Sequence, residues 1–215
     1  MLLACVAPGL VLAARAFADD LGVDPVETLL HVSGDWALRF LLACLAVTPL
    51  RWLGWRSLAP HRRSFGLAAF GYAAGHALAY AVFDQGLDPA AILDDVAEHP
   101  WLTAGFASLV CLVPLAITST RGWIRRLGRR WLALHRLVYV AAVAAVIHFV
   151  WLVKADHREP LLYAALLATL LAPRALFALR ERIRTRARRH APATIAANRT
   201  DSGCMHVGSE TDGST

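Results

Sequence analysis

The chain has 215 residues, 57% of them hydrophobic and 18% charged, with a formal net charge of +6 and a mean hydropathy of +0.48. That apolar load exceeds what one soluble core needs, and the charge sits in clusters between long apolar stretches, so a soluble domain is excluded in favour of a helical membrane bundle. The short alternating segments of a membrane β-barrel do not appear, and the arginines flank apolar spans, so membrane topology explains them better than nucleic-acid binding.

About six spans follow in chain order. The first, residues 2–18, is short and contains Pro8 and Gly9. Its end, Ala16-Phe17-Ala18 before Asp19, has the small-residue form of a signal-peptidase site, but no basic segment precedes it, so a retained helix is expected. The second covers residues 36–53, the third 64–83, the fourth 101–117 with Pro114 near its end, the fifth 131–153, and the sixth 161–179. Each is close to the roughly 20 residues that cross a hydrocarbon core of about 30 Å. Closed backbone hydrogen bonding then makes helices the spanning form. The fold class expected is an all-α polytopic membrane bundle. Residues 1–185 form its transmembrane domain, and residues 186–215 a basic and polar tail that reads as disordered.

Charge orients the spans. Arg51, Arg56, Arg62 and Arg63 lie between the second and third, Arg121, Arg125, Arg126, Arg129 and Arg130 between the fourth and fifth, and an arginine run from Arg180 to Arg189 follows the sixth. The other loops carry Asp19, Asp20, Asp24 and Glu27, or Asp84, Asp88, Asp94, Asp95 and Glu98, with only Lys154 and Arg158 as basic residues on that side. The positive-inside rule puts the arginine loops and both termini in the cytoplasm. Trp36, Trp52, Trp55, Trp101, Trp123, Trp131 and Trp151 fall at or near span ends, where an indole keeps its ring apolar and its N–H wet. The four cysteines are scattered without a CxxC, so no zinc or iron–sulfur site is suggested, and Cys204 with His206 in the tail is too sparse for one.

Polar residues inside a membrane ask for a reason. Three histidines lie within spans: His76 in the third, His135 and His148 in the fifth. His76 is eight residues before Asp84 and His148 six before Lys154, or about 12 and 9 Å from the outer end at 1.5 Å per residue. The two imidazoles therefore reach matching depth on spans of the same direction, as bis-histidine ligation of a haem between helices requires. His135 lies about 20 Å further in along the fifth span, and thirteen ideal helical steps turn it roughly 140° from His148. It shares their slot only if that span is bent, and an inner partner would have to be His61, a flavin or a quinone. Small residues surround His76 (Gly66, Ala68, Ala69, Gly71, Ala73, Ala74, Gly75, Ala77), which admits a flat macrocycle or a closely packed helix. From spacing alone a haem site, packing histidines and a proton or ion relay all remain open.

Two buried arginines and one loop add context. Arg39 has either a haem propionate or Asp35, four residues earlier, as its partner. Arg136 either meets a phosphate or propionate or snorkels to the interface. The basic segment 119–130 reads as a flavin phosphate site, as a docking surface for an acidic reductase, or as a topology signal that binds anionic lipid.

Taken together, Gly22-Val-Asp-Pro-Val26, Trp36-Ala-Leu-Arg-Phe-Leu41, Val47-Thr-Pro-Leu50, Arg62-Arg63 with Gly66-Leu67, His76 with Tyr80, Thr118-Ser-Thr120, Leu127-Gly-Arg-Arg-Trp131, Leu134-His-Arg-Leu-Val-Tyr139, His148 with Trp151, and Val153-Lys154 carry a resemblance. In this order over residues 20–180 they resemble the haem-binding membrane subunits of periplasmic protein-methionine-sulfoxide reductase systems, the MsrQ (YedZ) family, among the ferric-reductase-like transmembrane domains. The resemblance implies haem b, an associated FMN, and His76, His135 and His148 as the metal ligands. It implies a bacterial inner-membrane location and a quinone or cytosolic flavin reductase as donor. The acceptor it implies is a periplasmic molybdenum-cofactor methionine-sulfoxide reductase that repairs oxidised envelope proteins. The chain would then be an electron-transfer subunit rather than the catalytic one. It would carry electrons from a cofactor near His135 and Arg136 to a haem between His76 and His148. The alternatives are a cytochrome b anchor of another oxidoreductase and a histidine-relay transporter; for the latter the spans show no inverted repeat.

Overall fold

The computed structural model describes residues 2–153 and 157–190. They divide into a unit of residues 1–171 and a unit that begins at Ala172. Lys154, Cys204, His206 and the tail from residue 191 lie outside the described residues. Among the described residues the elements are helical throughout: α1 (Leu2–Phe17), α2 (Pro25–Trp52), a 3-10 turn (Arg56–His61), α3 (Arg62–Ala79), a π turn (Tyr80–Asp84), α4 (Pro89–Glu98), α5 (Pro100–Ile117), α6 (Arg121–Leu127), α7 (Arg129–Leu134), α8 (Leu137–Leu152) and α9 (Arg158–His190). Five runs have the length and apolarity to cross a membrane: Pro25–Trp52, Ser57–Asp84, Pro100–Ile117, Arg129–Leu152 and Arg158–Leu176, with a shorter apolar helix at Leu3–Phe17. The protein is an all-α polytopic membrane bundle.

The boundaries move where local chemistry overrides apolar length. The second span starts at Pro25, eleven residues before its predicted start. Asp24 caps that helix by accepting from the Glu27 N–H at 3.0 Å, and Pro25 takes the first helical position, where its missing N–H costs nothing. The same Asp–Pro device recurs at Asp88-Pro89, where Asp88 accepts from the Ala90 N–H at 2.9 Å. It starts α4 inside what reads as a plain acidic loop. The fifth span divides at His135–Arg136 into α7 and α8. There the Arg136 N–H bonds to the Ala133 carbonyl and the Tyr139 N–H to the Arg136 carbonyl, three residues back, so the coil tightens for one turn. Gly128, at φ +49°, ψ −120°, separates α6 from α7 in a conformation that a side chain would strain. Helix α9 runs through His190, which takes residues 186–190 of the expected tail into the helix.

Within the first unit, α2 packs most extensively on α3 and α5 on α8, while α3 meets α5 and α2 meets α8. Four helices therefore ring a common centre. Small residues make the closest approaches: Ala69, Ala141 and Ala142 are fully buried, as is Leu45. The outer surface is apolar instead of polar, with Val110 65% and Leu162 69% exposed, which suits a lipid-facing exterior. Helix α1 is fastened to α3 by Tyr72, whose hydroxyl accepts from the Gly9 N–H at 2.6 Å and donates to the Cys5 carbonyl at 3.0 Å.

Candidate cofactor site

The ring of α2, α3, α5 and α8 borders a cleft of about 520 Å³ that both His76 and His148 line, within the roughly 300–1,000 Å³ range of small-molecule and cofactor sites. One face of α3 supplies Ala69, Ala73, His76, Ala77 and, at the start of the π turn, Tyr80. This spacing of three and four residues is a single helical stripe. The small residues around His76 are thus of two kinds. The alanines of the stripe open the cavity, whereas a Cβ on Gly71 or Gly75 would meet nothing within 4 Å.

The two imidazoles stand edge to face, with ring centres 6.2 Å apart. The Nδ1 of His76 lies 3.0 Å from the Leu30 carbonyl and 3.3 Å from Ser33 Oγ. The Nδ1 of His148 lies 2.7 Å from the Trp101 carbonyl. A carbonyl only accepts, so Nδ1 carries the proton in each ring and the Nε2 lone pair is left for another partner. Metal-binding histidines are oriented by this same kind of bond, the far nitrogen donating to a backbone carbonyl.

Each ring also rests against a glycine of a neighbouring helix. A Cβ at Gly105 of α5 would lie 2.9 Å from His148 Nδ1, and one at Gly34 of α2 would lie 3.3 Å from His76 Nδ1 and Cε1. The first distance is a collision, so α5 needs a missing side chain to seat the His148 ring as it stands; the second is a tight contact that a slight shift of the His76 ring would relieve. Sequence reasoning did not single out Gly34 or Gly105. The available signal was a lone glycine inside an otherwise apolar helix, which marks a close approach.

The end of the cavity toward Asp84 and Asp95 is acidic. Asp24, Glu27, Asp35, Asp84 and Asp95 line it together with His31 and His99. His31 pairs with Glu27 at 3.6 Å and His99 with Asp95 at 2.7 Å. Tyr80 donates its hydroxyl proton to Asp95 as well.

The other sequence-selected residues lie elsewhere. Arg39 is outside the cavity lining. Its guanidinium bonds to Asp35 Oδ2 at 3.1 Å and to the Tyr163 hydroxyl at 2.9 Å, and it lies over the Trp36 ring. His135 and Arg136 form the break between α7 and α8, also away from the cavity. His135 stacks on Trp131 with ring centres 3.9 Å apart, and its Nδ1 faces the Trp131 carbonyl at 3.2 Å. Trp131 in turn donates its indole N–H to the Thr118 carbonyl at the end of α5, at 3.0 Å.

Residues 33–146 match the family described as ferric reductase like transmembrane component. A Rhodospirillum rubrum protein named protein-methionine-sulfoxide reductase heme-binding subunit MsrQ is 49% identical over 181 residues, 83% of this chain and 87% of that one. The chain belongs to the MsrQ family. An MsrQ of the same printed name from Xanthomonas oryzae pv. oryzae is 51% identical over 176 residues, 81% of this chain and 80% of its own. The MsrQ of Brucella ovis is 50% identical over 151 residues, 70% and 69% of the two chains. No solved structure matches the chain. MsrQ membership agrees with the helical bundle: this is a multi-pass membrane protein of a ferric-reductase-like kind.

Proposed function

We propose that this MsrQ-family chain is a haem b electron-transfer subunit in which His76 and His148 would hold the haem iron. The observation that carries the reading is the facing histidine pair. Each Nδ1 is tied to a carbonyl, each ring is backed by a glycine, and both Nε2 atoms are left for a metal between α3 and α8. A bound haem supplies a one-electron redox centre. His76 and His148 would hold it in the cavity, where Ala69, Ala73 and Ala77 leave room, while Leu45 and Ala142 belong to the packed core of the same bundle.

The finer reading concerns direction. We infer a bacterial inner-membrane protein with both termini cytoplasmic; its support is the arginine-rich segments at one end of the spans and the carboxylates at the other. The proposed acceptor is a periplasmic molybdenum-cofactor methionine-sulfoxide reductase; the names of the relatives support its coarser part, a protein-methionine-sulfoxide reductase system. The proposed donor is a quinone or a cytosolic flavin reductase, with FMN beside the basic segment 121–130, whose arginines suit a flavin phosphate.

The test is an absorption and electron paramagnetic resonance spectrum of the detergent-purified chain with its haem-to-protein ratio. A low-spin bis-histidine signal is expected. A wild-type chain without a Soret band would overturn the reading. Reconstitution with the reductase and a methionine-sulfoxide substrate tests the acceptor separately: electron delivery supports it, and a reducible haem that never reoxidises sinks it.

A further inference from the structure

Asp95 is one acid among several in the outer segment, yet its bonding differs from that of its neighbours. Its Oδ2 accepts from the Tyr80 hydroxyl and, at 2.9 Å, from Gln85 Nε2, while its Oδ1 meets His99 Nδ1 at 2.7 Å. The three donors come from two segments, the π turn and the start of α5. Tyr80 opens the π turn that continues the helix of His76, Gln85 closes that turn, and His99 is the N-cap of α5. Asp94, next in the chain, is exposed.

The connection continues inward. The His99 ring packs on Trp101 with ring centres 4.4 Å apart. The Trp101 carbonyl, in the first turn of α5, is the acceptor for His148 Nδ1. One turn further along α5, Gly105 abuts the same imidazole so closely that a Cβ would stand 2.9 Å from Nδ1. His148 is therefore oriented by two points of a single helix, and a small displacement at the start of α5 reaches its ring directly. The tie at the other end of Asp95 leads to α3 and so to His76, four residues before Tyr80. Charge-assisted bonds to a carboxylate are about twice as strong as neutral ones, and a π turn is a frequent mark of a functional position.

We propose that Asp95 is a positioning residue for the ligand pair: by joining Tyr80 and Gln85 to His99, it fixes the start of α5 against the end of α3 and thereby the Trp101 carbonyl that orients His148. The inference rests on the haem reading above. It predicts that loss of the carboxylate changes the orientation of a retained ligand rather than removing the haem.

The experiment uses the full haem-loaded chain in detergent, with haem-to-protein ratio, low-spin electron paramagnetic resonance and midpoint potential as readouts. Asp95→Asn is expected to keep the haem ratio but shift the largest g-value and the potential. Tyr80→Phe should shift both in the same direction by less. Asp95→Glu should restore part of the shift. Asp94→Asn removes the same charge one residue away without these bonds, and should leave the g-value at its wild-type position. A g-value and potential unchanged in both Asp95→Asn and Tyr80→Phe would overturn the inference, as would an equal shift in Asp94→Asn, which would mean a charge effect alone. If Asp95→Asn does not fold, Tyr80→Phe decides by the same criterion. A wild-type chain without a bis-histidine signal overturns the haem reading and this inference with it, whereas a normal wild-type signal that the variants leave untouched overturns this inference alone.

Discussion

Two halves of this bundle, the one toward the acidic loops (outer in the proposed orientation) and the one toward the arginine loops (inner), treat their histidines in opposite ways. In the outer half, His76 and His148 come from different helices, face each other across a cavity, and are each held between a carbonyl and a glycine. In the inner half, His135 leans on Trp131 of its own chain segment, at a tightened turn and away from the cavity. The lesson is that a histidine in a membrane span is not yet a ligand. What distinguishes the pair is that the carbonyl and the glycine at each ring belong to another helix and that both rings line one cavity, whereas the carbonyl at His135 is that of its own segment.

The largest break in this comparison should come from the outer ligands. His76→Ala and His148→Ala are each expected to abolish the low-spin haem spectrum, and a spectrum that survives in either variant would remove that residue from the ligand set. Gly105→Leu should approach the same loss, because no rearrangement of a leucine clears a ring that a Cβ already meets at 2.9 Å. Gly105→Ala should lower haem content in the purified protein several-fold, on the order of the 1–3 kcal/mol that overpacking costs. Gly34→Ala should do so less, since its Cβ contact with His76 is 3.3 Å and the neighbour needs to yield only slightly. Equal effects at the two glycines would contradict the ranking by distance.

Smaller effects sharpen the contrast. Ser108→Ala removes the bond from Ser108 Oγ to the Ala141 carbonyl that joins α5 to α8 at 2.9 Å. It should lower unfolding stability in detergent by about 1 kcal/mol while leaving the haem spectrum in place. For the inner half, His135→Ala should leave haem content and the low-spin signal unchanged, with reduction by the donor slowed. Loss of the haem signal there would show that the two halves share one site after all.

Much of the outer site is legible in the residue string because it depends on distance along the chain. A rise of 1.5 Å per residue puts His76 and His148 at similar depth, and alternating acidic and arginine loops run their spans in the same direction. The break at His135 is not legible, since the polar pair His135-Arg136 interrupts the apolar run from Trp131 to Val153 for only two residues and ideal periodicity predicts one straight helix. Helix α4 is hidden for the opposite reason: Asp94, Asp95 and Glu98 resemble a solvated loop, and the Asp88-Pro89 cap that starts it is a local signal. The partner of Arg39 is half legible. Asp35 is one turn away in sequence, whereas Tyr163 lies 124 residues on.

By itself the sequence determined the membrane character, the helical class and the candidate ligands, because apolar length, charge placement and helical rise are properties of a linear chain. Only the tertiary structure decided which histidines meet. That choice rests on the missing Cβ atoms of Gly34 and Gly105 and on the carbonyls of Leu30 and Trp101, which lie 46 and 47 residues from the rings they hold. Their effect depends on helices packing within a few tenths of an ångström, which no spacing along the chain expresses.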